Sequence, residues 1–483
     1  MLFNSFEFLI FLPIVFILYW FVFKQLRYQN ILIVIASYVF YGWWDKTFLL
    51  LIALTTICSY ASGLLIKKYR ETNTNKILTP KAITTINIII NIGILFVFKY
   101  FNFFAESFTE LLKYFGATPD KITLKLILPV GISFYTFQAL SYTIDIYRKK
   151  LEPSENIVDF FAFISFFPQL VAGPIERATN LLPQFQKPRK FDYALAVDGL
   201  RQMLWGFFKK LVVADNCADV VEQIFTESNA GGFRMLFGGI VFAFQIYCDF
   251  SGYSDIAIGT AKLFGIKLMR NFNIPYFSRS VGEFWQRWHI SLMTWFRDYI
   301  YFPLGGSRKG NFKTVLNSLI VFLISGLWHG ANWTFVFWGL YNGILISIQR
   351  FLPIKKHKDV VASNSIFPNI KEVLQMGVTF FLIVLGWIIF RSDNITMAFN
   401  YITRIFTIPD FNLSVILWAK KVSFFIALTI AAEWLQRKKK HVLDIEPKGI
   451  LKYHATRIAL YAAIFATIFY FSGKIQTFIY FQF

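Results

Sequence analysis

Two histidines carry the chemistry that this sequence can offer. His329 lies in "GLWHGANWTF" (326–335), at the end of the apolar run "VLNSLIVFLIS", and His289 lies in "FWQRWHISLMTWF" (284–296). A charge at the centre of a membrane helix costs about 2.5–3.5 kcal/mol on the insertion scale, so a retained ionisable ring is a functional candidate. Desolvation keeps such a ring neutral. A neutral imidazole can act as a general base, taking a proton from a hydroxyl whose oxygen attacks an activated acyl carbonyl. Asn332 and His289 are polar neighbours suited to steadying an oxyanion or a leaving thiolate. The bland alternatives are a neutral His329 bonded to a carbonyl at a helix end and a structural His289. No serine-triad order, nucleophile elbow or P-loop is present, and no metal-ligand spacing, so neither a metal nor a bound cofactor is expected. His357, His441 and His454 lie in or beside basic polar segments and read as solvated.

The elements around these histidines come next. In 278–308, Ser280-x-x-Glu283 reads as a capping box, and Pro303 with Gly305-Gly306 ends the helix. At about 100° per residue, Glu283, Gln286, Arg287, Ser291, Thr294, Arg297, Asp298 and Tyr301 share one stripe, opposite Trp285, Trp288, Leu292, Trp295, Phe296 and Tyr299. The pattern predicts one amphipathic helix at, or tilted into, the membrane interface. His289 falls about 60° beyond the polar stripe, beside Trp285 and Phe296. The His329 helix begins near Val315, and the next runs from about Trp333 to Ile348.

Three further polar islands break the apolar pattern. "LPVGISFYTFQALSYTIDIYR" (128–148) carries Gln138 among hydroxyls, which predicts a helix facing protein or water. "FISFFPQLVAGPIERATNLLPQF" (163–185) is broken by Pro168, Gly173 and Pro174 and predicts a re-entrant loop. In "YCDFSGYSDIAIGTAKLFG" (247–265), Asp249 or Ser251 can cap a helix that starts near Gly252. Its two carboxylates six residues apart suggest a cation, but the spacing fits no calcium loop.

The whole chain sets the solvent. Of 483 residues, 56% are hydrophobic and 20% aromatic, and the mean hydropathy is +0.51. The apolar residues come in long blocks, about a dozen of which approach the roughly 20 residues a spanning helix needs. The net charge of +21 is scattered through short loops, so it reads as the positive-inside rule and not as a nucleic-acid surface. From an N-terminus outside, 67–76, 148–150, 187–190, 355–358 and 437–441 fall inside, whereas the acidic segments around Asp120 and from Asp215 to Glu227 fall outside. This predicts an all-α polytopic protein with about twelve crossings and both termini extracytoplasmic, one integral-membrane domain over 1–483 with its core at about 125–350. Cys58, Cys217 and Cys248 lie far apart in or beside apolar stretches and imply no disulfide framework.

Taken in order, "LPVGISFYTFQ", "FFPQLVAGPIER", "YCDFSGYSDIAIG", "FWQRWHISLMTWFRDYIYFPLGG" and "GLWHGANWTFVFWG" resemble the membrane-bound O-acyltransferase (MBOAT) family. With the opening "MLFNSFEFL", they match its bacterial alginate and peptidoglycan O-acetyltransferase branch. The resemblance implies a ring of helices, with re-entrant and interfacial helices around a central chamber. It implies His329 as the catalytic base and His289 as the second functional histidine, with Trp328, Trp285, Asp249, Ser251, Tyr253, Gln138, Arg297, Asp298 and Asn332 as channel or supporting residues. It further implies acetyl-CoA or another cytosolic thioester as donor. The expected partners are a separate extracytoplasmic acetyltransferase and an exported glycan, met at the bacterial inner membrane. One departure is Asn342, where related proteins often carry a further histidine; an amide there can donate a hydrogen bond but cannot be a base. The competing class is a multi-pass transporter or channel component of a glycan-modification or export complex, which fits the broken helices equally well.

Overall fold

The computed structural model describes residues 1–72, 79–117, 123–124, 126–171, 173–227, 230–352, 359–408, 410–474 and 476–479. Among them the chain is helical, with no strand. His357 and the basic stretch 355–358 lie outside the described residues, as do Asp120 and 73–76 of the segment 67–76. Among the described residues six helices are long and apolar enough to cross a membrane: Phe48–Thr72, Pro80–Tyr114, Gly232–Leu263, Gly310–His329, Ile370–Arg391 and His454–Phe471. That is fewer than the twelve or so the hydropathy blocks suggest. Other apolar blocks lie in shorter helices such as Phe6–Ile17, which passes directly into a π turn at Leu18–Val22.

The chain packs as two compact units, Met1–Gly199 with Thr260–Met269, and Leu200–Gly259 with Arg270–Phe483. In the first unit the helix breaks within the stretch that carries the prolines and glycines. Helix Ile157–Ser165 stops at Phe166, and the single turn Phe167–Leu170 follows. The backbone freed by the break is satisfied by protein, as membrane depth demands. Phe167 N donates to Ser37 Oγ at 3.0 Å. Gln138 Nε2 donates to the Phe163 carbonyl at 2.6 Å, while Gln138 Oε1 accepts from Gln169 Nε2 at 2.5 Å. Gly131, at φ +73°, brings its backbone so close to this turn that a Cβ would stand 2.7 Å from the Leu170 carbonyl oxygen.

In the second unit, Gly310–His329 and Trp333–Phe351 pack along a seam of glycines. A Cβ on Gly326 would meet the Phe335 carbonyl oxygen at 2.2 Å, and one on Gly339 would meet the Phe322 carbonyl oxygen at 2.3 Å. Small residues let membrane helices approach backbone to backbone. Because the obstacle is main chain, it cannot rotate away. We therefore expect Gly326→Ala to destabilise the protein by about 1–3 kcal/mol through overpacking. Gly377→Ala, on a helix face with nothing within 4 Å, should be neutral or gain up to about 1 kcal/mol. Thermal unfolding of both variants in detergent, followed by size exclusion, checks the contrast; equal melting would refute the seam.

Candidate functional site

The second unit brings both histidines into one aromatic cluster. His329 is the last residue of its helix and is 4% exposed. Its ring lies 4.9 Å from Trp328, 5.1 Å from Trp338 and 5.4 Å from Phe390, centroid to centroid. The turn after it is fixed by Gly330, where a Cβ would overlap the Phe335 ring at 2.1 Å. His289, 1% exposed, lies 4.6 Å from Phe250, 6.4 Å from Phe272 and 5.7 Å from Trp328. Trp328 thus touches both imidazoles.

His289 does not ride on a continuous helix. Val281–Arg287 ends, and Ile290–Phe296 begins after His289 at φ +43°, ψ 52°. No glycine or proline marks this break. It is held from outside: Asn273 N donates to the Arg287 carbonyl at 2.9 Å, and Ile290 N donates to the Asn271 carbonyl at 2.8 Å. Asn271 Oδ1 also accepts from Ser291 Oγ at 2.9 Å. The expected single stripe therefore does not exist, and His289 faces Phe250, Phe272 and Trp328. The first half is no interfacial helix either, since Glu283, Trp285, Arg287 and Trp288 are all buried. Only half of the capping box forms. Ser280 Oγ accepts from Glu283 N at 3.2 Å, but Glu283 accepts from Arg279 N and pairs with Arg279 and Arg287. The His289 turn lies outside the six long spans, and burial pushes its imidazole down to about 3, which keeps the ring neutral at working pH.

The other candidates divide. Trp285 stacks edge-on to Trp338 at 5.6 Å, one ring from His329. Asn332 caps Trp333–Phe351, accepting from Thr334 N at 3.0 Å and donating to the Asp393 carbonyl at 3.0 Å, so its amide is engaged in holding the turn. Asn342 is buried and donates to the Trp338 carbonyl at 2.9 Å. Arg297 and Asp298 pair with each other at 2.7 Å, Arg297 half exposed. Gln138 serves the break in the first unit.

Asp249 and Ser251 cap nothing, because Gly232–Leu263 is one uninterrupted helix of 32 residues. Their partners are two consecutive lysines on the π turn Phe208–Ala214. Lys210 Nζ bridges Asp249 and Asp215, each at 2.7 Å. Lys209 Nζ donates to Ser251 Oγ at 2.9 Å and pairs with Asp255 at 2.6 Å. The cations held by the two carboxylates six residues apart are the chain's own ammonium groups. The signal was present in "LWGFFKKLVVAD", where two positive charges interrupt an apolar run.

The same cluster receives residues 476–479, which the motifs did not flag. The Gln476 carbonyl accepts from Lys210 Nζ at 3.1 Å, and Ile479 N donates to Asp249 Oδ2 at 2.7 Å. Phe478, fully buried, packs on Tyr253 at 4.6 Å and on Phe250 at 5.5 Å. Phe250 also packs edge-on against His289. His441, read as solvated, is buried; it lines a recess with Lys439 and Lys440. His454 is exposed.

The sequence model of the MBOAT, membrane-bound O-acyltransferase family, matches residues 4–353, both histidines included. The chain belongs to this family. As an MBOAT protein it is a multi-pass membrane O-acyltransferase, which decides between enzyme and transporter. It is 39% identical over 435 residues to "Probable alginate O-acetylase AlgI" of Azotobacter vinelandii, covering 89% of this chain and 83% of the relative. It is 34% identical over 402 residues to "Peptidoglycan O-acetyltransferase" of Helicobacter pylori, covering 78% and 73%. A more distant MBOAT relative, "Teichoic acid D-alanyltransferase" of Bacillus subtilis, is 28% identical over 282 residues, covering 55% and 69%.

Proposed function

We propose that the protein moves an acetyl group from a cytosolic thioester, acetyl-CoA in the first instance, toward an exported glycan across the bacterial cytoplasmic membrane, with His329 as the general base. The observation that supports this most is the setting of His329: a buried imidazole in an aromatic cage, joined to a second, neutral imidazole through Trp328. In the step, an imidazole nitrogen takes the proton of the acceptor hydroxyl as its oxygen bonds to the thioester carbonyl carbon. The carbon–sulfur bond then breaks, and the thiolate leaves with the proton returned by the imidazolium. His289 is suited to donating from its ring N–H to the oxyanion. The acceptor is an extracytoplasmic transferase or the glycan itself, in keeping with the alginate and peptidoglycan named for the relatives. The charge pattern supports both termini being outside. The test is a transfer assay with labelled acetyl-CoA and membranes carrying the protein. Label in an alkali-labile ester is expected; label that crosses the membrane without forming an ester would overturn the proposal.

A further inference from the structure

A second polar recess in the same unit shares Asn271 and Phe272 with the wall of His289. Its cations are Lys209, Arg270, Lys439 and Lys440, with His441 beside them. Two of these charges are answered within the protein: Lys209 by Asp255 and Lys439 by Glu446. Of the two other carboxylates near the recess, Glu433 accepts from Tyr247 Oη at 2.6 Å, and Asp444 accepts from the Lys440 backbone. Among the described residues no carboxylate stands at ion-pair distance from Arg270 or Lys440. Arg270 Nε is held on the Phe272 carbonyl at 2.7 Å, which fixes its planar fork beside the ring that faces His289. The free space of about 30 Å³ suits a group of one or two water volumes. A phosphate seated at its mouth reaches into it with its oxygens, and no ring system fits. Buried Tyr247 and Glu433 make this a built site, not a surface patch.

We propose that this recess binds a phosphate of the acyl-thioester carrier, through Arg270 and Lys440, and so docks the donor on the inner side of the His289 wall. A planar guanidinium and an ammonium together are what phosphate oxygens require. The basic run 437–441 falls on the inner side by its charge, the side from which a thioester comes and an exported glycan does not. The inference rests on the acyl-transfer reading above and adds to it the part of the donor that is recognised.

The experiment uses the whole protein in detergent with four probes: acetyl-CoA, acetyl-dephospho-CoA, S-acetylpantetheine and an S-acetylated acyl carrier protein. Lys440→Glu should raise KM for the preferred phosphate-bearing donor about tenfold or more, the size of one lost charged contact, and that for S-acetylpantetheine by less than about twofold. Loss confined to acetyl-CoA assigns the 3′-phosphate, and loss shared with acetyl-dephospho-CoA assigns the pyrophosphate. Loss only with the carrier protein assigns its phosphodiester. An unchanged KM for every donor, or an equal rise for all four including S-acetylpantetheine, overturns the proposal. Equilibrium binding of coenzyme A and of the carrier protein to wild type and Lys440→Glu is measured in parallel. If no donor is turned over, the acyl-transfer reading fails by itself, and the binding ratio still decides the recess: about tenfold weaker binding of either ligand supports it, and equal binding of both refutes it.

Discussion

His329→Ala is expected to abolish acyl transfer, a loss of about 10²–10⁴-fold on the scale of a positioned general base, while the protein still inserts and purifies. The helix end is set by Gly330 and the glycine seam, so removing the imidazole leaves the backbone path intact. What is lost is a group that can accept a proton in a cage of Trp328, Trp338 and Phe390. His329→Gln separates base from polarity, because an amide hydrogen-bonds but does not take up the proton. Both variants should be equally inactive when alkali-released acetate is measured from cells with matched protein levels. Near-normal acetate from the alanine variant would remove the assignment.

His289 allows a sharper test, because its backbone sits at φ +43°. Left-handed geometry costs an ordinary residue about 1–2 kcal/mol, and glycine escapes this cost. Glycine and alanine at 289 both delete the ring that touches Phe250, Phe272 and Trp328, but only alanine retains the strain. We expect His289→Gly to melt no lower than His289→Ala, and both to lose acyl transfer by about 10²-fold or more, the smallest effect usual for a proton-handling side chain. If the glycine variant turns over like wild type, His289 serves only to make the turn.

The sequence already placed the histidines and the broken segment at 163–185, because glycine, proline and an ionisable ring in an apolar run are local signals. The break at His289 was not legible. "WQRWHISLM" has helical periodicity and no breaker, and the bonds that hold it open come from Asn271 and Asn273, a tertiary cause. The cap inferred at Asp249 failed for the converse reason. A polar island looked like a helix start, but its polar groups were answered by Lys209 and Lys210, some forty residues away in sequence. His441 misled because a run of lysines masks which of its members turns inward.

The insertion of 476–479 beside Lys210 and Asp249 bears on how this protein is made. Both charged residues leave the ribosome more than 200 residues before their last partners do. Lys210 and Asp249 can pair with each other early, but a buried group left without its last hydrogen bond costs about 1–3 kcal/mol, so until the tail arrives water must supply that bond. Only after His454–Phe471 has been threaded can the Gln476 carbonyl and the Ile479 amide arrive and Phe478 cover Phe250. The Phe250 ring beside His289 therefore gains its Phe478 cover only when the tail has been made.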